Sequence, residues 1–110
     1  MALFTEVKKG EDSIVLKLND NINSQTIEEL EETLKGYVKS GILKIVIDLK
    51  DIEFISSQGL GVLVINYKPL AEKEGFIALL NLNDSIKRVM EITRLDKVIT
   101  VAKSLKEIEL

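Results

Sequence analysis

The segment Leu43-Lys44-Ile45-Val46-Ile47-Asp48-Leu49 constrains this chain more than any other. Its centre is β-branched and its apolar character nearly continuous, with Ser40-Gly41 before it and Lys50-Asp51 after it. It is too short for a helix and reads as a strand. A sheet with one wet face shows apolar-polar alternation, whereas an unbroken run belongs to a strand covered on both faces. The flanking sequence offers helices as cover. Before the strand, Ile27, Leu30, Leu34 and Val38 recur at helical spacing, with Asn23 or Ser24 as N-cap and Ser40-Gly41 as the stop. Glu28, Glu29, Glu31 and Glu32 load the early turns of that helix with favourable charge. After the strand, a helix is predicted over about 58–74, ending at Gly75. Its first half, Leu60-Gly61-Val62-Leu63-Val64-Ile65, is apolar nearly all round and is expected to be well buried.

The remaining elements follow the same signals. Leu3 to Val7 and Ser13 to Leu18 flank a Gly/Asp turn and read as an antiparallel hairpin. Ile14, Leu16 and Leu18 alternate with Val15 and Lys17, the pattern of a half-buried strand. Phe76 to Leu80 is a further strand, followed by a helix from Ser85 to Thr93 with Asp84 as its cap. Val98 to Ala102 is a last strand, and Ser104 caps a short terminal helix. The order is β-β-α-β-α-β-α-β-α. It implies an α/β fold with a mixed, mostly parallel sheet opened by an N-terminal hairpin and packed with helices. No linker, repeat or low-complexity tract interrupts the chain, and 110 residues suffice for one core, so residues 1–110 form a single domain. Pro69 lies inside the second helix, where it removes the amide that would bond to Ile65 and should kink the helix or end its regular part.

Function classes are narrowed mainly by what is missing. The chain has no cysteine and no histidine. This excludes the usual zinc ligands, thiol nucleophiles, disulfides and imidazole acid-base chemistry. A net charge of −3 gives no reason to expect nucleic acid or an anionic membrane as partner. The amino terminus has no hydrophobic signal core, and no apolar run approaches the roughly 20 residues of a spanning helix. A cytoplasmic protein without a cofactor is expected. Asp48, Asp51 and Glu53 lie at the carboxyl end of the central strand, near Ser56 and Ser57. No base accompanies these serines, and neither a Gly-x-Ser-x-Gly elbow nor a phosphate-binding glycine loop is present. The acids read as solvated loop carboxylates, and self-contained catalysis is not expected.

The turn Ser56-Ser57-Gln58-Gly59 joins the most apolar strand to the most apolar helix. Serine there has two readings. It can cap the helix by accepting a backbone amide. It can also present a free hydroxyl at the surface, where helix amides and the helix dipole accommodate a phosphate. Gly59 and Gly61 either let a partner approach the backbone or allow tight packing of helix on sheet.

The run Val46-Ile47-Asp48-Leu49-Lys50-Asp51-Ile52-Glu53-Phe54-Ile55-Ser56-Ser57-Gln58-Gly59-Leu60-Gly61-Val62-Leu63 resembles the signature of the STAS domain. More narrowly, it is similar to that of the bacterial anti-sigma-factor antagonists. Leu18-Asn19-Asp20-Asn21-Ile22-Asn23 resembles the early segment of the same family, and the element order agrees over the whole chain. The resemblance implies a non-catalytic protein that binds an anti-sigma factor, itself a serine kinase, and so releases a sigma factor. It implies that phosphorylation of the serine at the start of the second helix ends that binding and that a serine phosphatase restores it. Aligned on Phe54 and Gly59, the phosphoacceptor is Ser57, with Ser56 as second choice. Asn21, Asn23, Ser56, Ser57, Gln58 and Gly59 are the implied partner-binding residues of a monomer. Ser56 departs from the family pattern, which commonly has Asp there. The alternative is a diverged STAS module that binds a small ligand or acts as a scaffold without phosphorylation.

Overall fold

The computed structural model describes residues 2–110. Its strands are β1 (Phe4–Lys9), β2 (Ser13–Leu18), β3 (Lys44–Asp48), β4 (Phe76–Leu80) and β5 (Thr100–Ala102). Its helices are α1 (Ile27–Lys39), α2 (Ser57–Ala71) and α3 (Asp84–Ile92), with short 3-10 turns at Leu95–Lys97 and Leu105–Glu107. The five strands lie in the order β1-β2-β3-β4-β5. Only β1 and β2 pair antiparallel, and every later step is parallel. Parallel steps that all advance in one direction, through crossovers of the usual right hand, put their helices on one face of the sheet.

The register explains the core. Ile14, Ile45 and Ile77 form one cross-strand row and Leu16, Ile47 and Leu79 the next. Both rows pack under Leu30, Leu34, Leu60, Leu63, Leu70, Ile86 and Met90 from the three helices. The intervening row, Val15, Val46 and Ala78, faces the opposite side. There it joins Leu80 and Ala102 and is covered by Leu105 and Ile108 of the carboxyl-terminal segment. The central strand is therefore sealed on both faces: Ile45, Val46 and Ile47 are all buried.

Several local expectations need correction. β2 is not half-buried, because Val15 lies beneath that carboxyl-terminal cover. The terminal segment makes only a 3-10 turn, and Ser104 gives it no side-chain cap. The last strand begins at Thr100, because the preceding residues are taken up by the 3-10 turn and the hydrogen bond from Ile99 N to Leu95 O, 2.8 Å. α1 starts at Ile27 rather than just after Asn23, since residues 23–26 form a turn of their own. In it the Asn23 carbonyl oxygen accepts the Thr26 and Ile27 amides, and the Asn23 Oδ1 accepts the Gln25 amide at 2.9 Å. α3 is capped by Asn83, one residue before Asp84, its Oδ1 accepting the Ile86 amide at 2.8 Å.

α2 runs two residues past Pro69 and ends at Ala71. Glu74, not Gly75, takes the left-handed conformation (φ 63°). Gly75 is needed for space, because a Cβ there would collide with the Leu43 carbonyl. Within α2, Leu60, Val62 and Leu63 are buried as expected, but Gly61 is exposed and Ile65 is 69% exposed. A helix lying on one face of a sheet turns a stripe of residues outward whatever their polarity.

Tyr37 ties α1 to the hairpin, its hydroxyl donating to Glu6 Oε1 at 2.9 Å. Burial pushes the phenol up to about 12, with the Glu6 hydrogen bond and charge acting in the same direction. A raised folded pKa means a contribution to stability that is complete below the ordinary value of 10.0 and lost as pH rises through about 12. Ultraviolet titration of the folded protein should show one tyrosine ionising near pH 12, and Tyr37→Phe should remove that step. A Tyr37 midpoint at the ordinary value would contradict this account.

Candidate functional site

The candidate site is the connection from β3 to α2. The parallel strands end together at one edge of the sheet, and the Leu49 amide bonds to Leu80 O at 2.9 Å as the chain leaves it. From there the loop is strapped on two sides. On the β2–α1 side, Asn21 Oδ1 accepts the amides of Glu53 (2.9 Å) and Phe54 (3.2 Å). On the β4–α3 side, Asn83 Nδ2 donates to the carbonyls of Ile52 and Glu53, both at 3.2 Å. Ile22 and Ile55 form a parallel bridge, with Ile22 N on Phe54 O at 3.1 Å and Ser56 N on Ile22 O at 2.9 Å.

This clamp delivers Ser56 to the start of α2 in an extended conformation (φ −67°, ψ 161°). Its Oγ accepts the Gly59 amide at 3.1 Å and its carbonyl accepts the Leu60 amide at 3.1 Å. Ser56 is therefore the N-cap. Ser57, the first helical residue, is exposed, and no hydrogen bond engages its hydroxyl among the described residues. The two serine readings are thus divided between neighbours: one hydroxyl caps, the other is presented. The amides of Ser57 and Gln58, first in the helix, have no helical acceptor.

The other expected site residues sort by role. Gln58 is exposed beside Ser57. Gly59 is buried, and a Cβ on it would lie 2.7 Å from Ile22 Cγ2 and 2.8 Å from Ile55 Cγ2. Its function is close packing of the helix start against the bridge. Gly61 has open space around its missing Cβ. Asn21 and Asn23 are half-buried and spend their side-chain oxygens on backbone amides, Asn21 on the serine loop and Asn23 on its own turn. Asn83 and the exposed pair Phe54 (52%) and Val89 (42%) complete the region and were not anticipated as site residues. Phe54 and Val89 line a cleft of about 150 Å³ with Leu60, Ser85 and Ile86. An Asn immediately before an amphipathic run is the signal that identifies Asn83 as a cap.

Two of the acids have structural roles. Asp48 Oδ1 accepts from the Lys50 amide and from Asn81 Nδ2, both at 2.9 Å. Asp51 pairs with Lys17 at 2.8 Å. Their mutual hydrogen bond and attraction hold the Asp51 carboxyl below, and the Lys17 ammonium above, their ordinary values. Among the described residues, no group of three or more potential ligands is placed to hold a metal ion. Among them, too, no helix is long and apolar enough to cross a membrane.

Residues 5–108 of the chain match the family model of the STAS domain. The chain belongs to the STAS domain family. It is 33% identical over 103 residues to the anti-sigma-B factor antagonist of Listeria monocytogenes, covering 92% of this chain and 90% of that one. Among solved structures, it superposes on a candidate anti-sigma factor antagonist of Thermotoga maritima with a TM-score of 0.85 at 28% identity, covering 94% of this chain and 89% of that one. The anti-sigma factor antagonist SpoIIAA in its unphosphorylated form shares the fold at a TM-score of 0.75 and 15% identity, with 94% and 91% of the two chains covered. The single α/β architecture read from the sequence is thus that of the STAS fold.

The division of labour at the helix start has a measurable consequence. In urea denaturation, Ser56→Ala should cost about 1 kcal/mol through the lost cap, and Ser57→Ala should stay within about 0.5 kcal/mol. Gly59→Ala should cost about 1–3 kcal/mol, because Ile22 and Ile55 must move apart. Equal losses for the two serine variants would contradict the assignment of Ser56 as cap.

Proposed function

We propose that this STAS protein is an anti-sigma-factor antagonist with Ser57 as its phosphoacceptor. In this reading the unphosphorylated protein binds an anti-sigma factor that is a serine kinase, and the sigma factor is freed. Phosphorylation of Ser57 ends the binding and a serine phosphatase restores it. The protein is a substrate of its partners' chemistry and carries none itself. Control of a sigma factor places its work in the cytoplasm.

One observation carries the reading: the Ser57 hydroxyl is exposed and unbonded on a rigid helix start, while Ser56 beside it is held as the cap. The immediate surroundings support it. Gln58 and Phe54 are exposed, and the cleft beside Phe54 is apolar enough to receive a partner side chain. A phosphate adds about −1.5 to −2 charges near neutral pH, which a partner pressed against such a surface must desolvate. Asn21, Asn23 and Gly59 contribute by holding the shape of the contact surface, and Ser56 by fixing the helix start. With a neutral Ser56 before the acceptor, the kinase must be recognised without a fixed carboxylate at that position.

The test uses the purified protein and its captured kinase. Ser57→Asp should weaken binding at least about 100-fold, as expected when one buried contact gains an unpaired charge, while thermal unfolding stays close to that of the unmodified protein. After incubation with ATP, mass spectrometry should place the phosphate on Ser57, and Ser57→Ala should remain unmodified. Undiminished phosphorylation of Ser57→Ala would transfer the role to Ser56. Tight kinase binding with no phosphorylation of either serine would favour the diverged binding module.

A further inference from the structure

By local chemistry Ser56 and Ser57 are equally good caps for α2. An N-cap side chain accepts the amide two or three residues further on. Ser56 takes the Gly59 amide in this way. A helix starting one residue later would let Ser57 take the Leu60 amide by the same geometry. The two side chains are identical, so nothing within the turn breaks the tie. The observed start, with Ser56 engaged and Ser57 exposed, is held from outside it.

The loop before the serines shows how. Glu53 has its amide on Asn21 Oδ1 at 2.9 Å and its carbonyl on Asn83 Nδ2 at 3.2 Å, so it is gripped from both sides. Asn21 also accepts the Phe54 amide and Asn83 also donates to the Ile52 carbonyl, each at 3.2 Å. These grips place the chain that leads to Ser56. From there the Ser56 amide reaches Ile22 O at 2.9 Å.

We propose that Asn21 and Asn83 are positioning residues that decide which of the two serines is phosphorylated. By fixing residues 52–54 they keep the Ser56 hydroxyl on the Gly59 amide and leave the Ser57 hydroxyl as the one a kinase can reach. This rests on the reading of Ser57 as phosphoacceptor and adds the residues that select it. With the grips released, the cap passes between the serines and each hydroxyl is free for part of the time. The transfer is the same at either: the serine oxygen bonds to the γ-phosphorus of ATP as the bond to ADP breaks, and the hydroxyl proton passes to the kinase. The Ile22–Ile55 bridge and the packing at Gly59 persist without the grips, so the loss of selection is partial.

Three variants test it. Asn83→Ser keeps the α3 cap on the Ile86 amide, but serine has no amino group to hold the Ile52 and Glu53 carbonyls in the same geometry. Asn21→Ala removes the other grip. Asn21→Asp retains it, because a carboxylate oxygen accepts the same two amides. After incubation with ATP and the captured kinase, mass spectrometry of the phosphopeptides gives the ratio of phosphate on Ser56 to that on Ser57. The ratio should rise at least about 10-fold in Asn83→Ser and Asn21→Ala, the scale set by the loss of one or two hydrogen bonds. It should stay at the unmodified value in Asn21→Asp. Amide hydrogen exchange followed by NMR makes the same comparison without a kinase. Measured against the β3 amides, so that a general loss of stability does not register, the Gly59 amide should exchange several-fold faster in the first two variants only.

Phosphate that stays on Ser57 in both Asn83→Ser and Asn21→Ala overturns the proposal, as does unchanged protection of the Gly59 amide in them. A shift toward Ser56 in Asn21→Asp overturns it too, since that variant keeps the grip. Absence of phosphate from both serines of the unmodified protein is a different failure: it overturns the phosphoacceptor reading itself.

Discussion

Burial of β3 on both faces is the constraint from which the rest of this structure follows. Ile45, Val46 and Ile47 are each almost wholly removed from water. Sealing such side chains is worth roughly 1.5–3 kcal/mol apiece. It also obliges every backbone amide and carbonyl of the strand to find a protein partner. β2 and β4 supply those partners on either side, in parallel register. Parallel neighbours require crossovers, and crossovers of one hand lay α1, α2 and α3 on a single face. The opposite face is left to the short carboxyl-terminal segment, which closes over Val15, Val46 and Ala78 with little more than Leu105 and Ile108.

The same constraint positions the site. The parallel strands β2 to β5 all finish at one edge, and the loops that follow them meet there. The serine loop could not hold a shape by itself, being short of regular structure between Leu49 and Ser56. It is held by asparagines from the loops after β2 and β4, which satisfy two of its amides and two of its carbonyls. Asn83 serves two elements at once, strapping the loop through its Nδ2 and capping α3 through its Oδ1. Asn21, the Ile22–Ile55 bridge and the close packing at Gly59 then fix where α2 begins to a single residue. Ser57 is presented because everything around it is fixed.

Much of this was legible from residue order. The period-two and period-3.6 patterns located the five strands and three α-helices, because both report which face of an element meets the core, but they also placed a helix after Ser104 where the chain makes only a 3-10 turn. They failed where a face is defined by a distant segment or by the outline of the molecule. Val15 reads as the wet side of a half-buried strand until residues some ninety positions later fold over it. Ile65 belongs to an apolar run, yet its angle on the helix carries it out of the core. The caps of α1 and α3 were displaced by a few residues because Asn, Ser, Thr and Asp compete locally for the same amides.

Order along the chain was sufficient for the fold class, for the two-sided burial of β3 and for a serine turn at the start of α2. Those features depend on periodicity and turn chemistry, which are local. Three-dimensional contact was needed to tell the serines apart. Which hydroxyl is occupied turns on one extended residue and a 3.1 Å bond to the Gly59 amide, placed by a clamp whose two sides come from loops far apart in sequence. Adjacent serines have the same composition and the same chemistry. Only the direction in which the packed backbone points each of them makes Ser56 a cap and leaves Ser57 free.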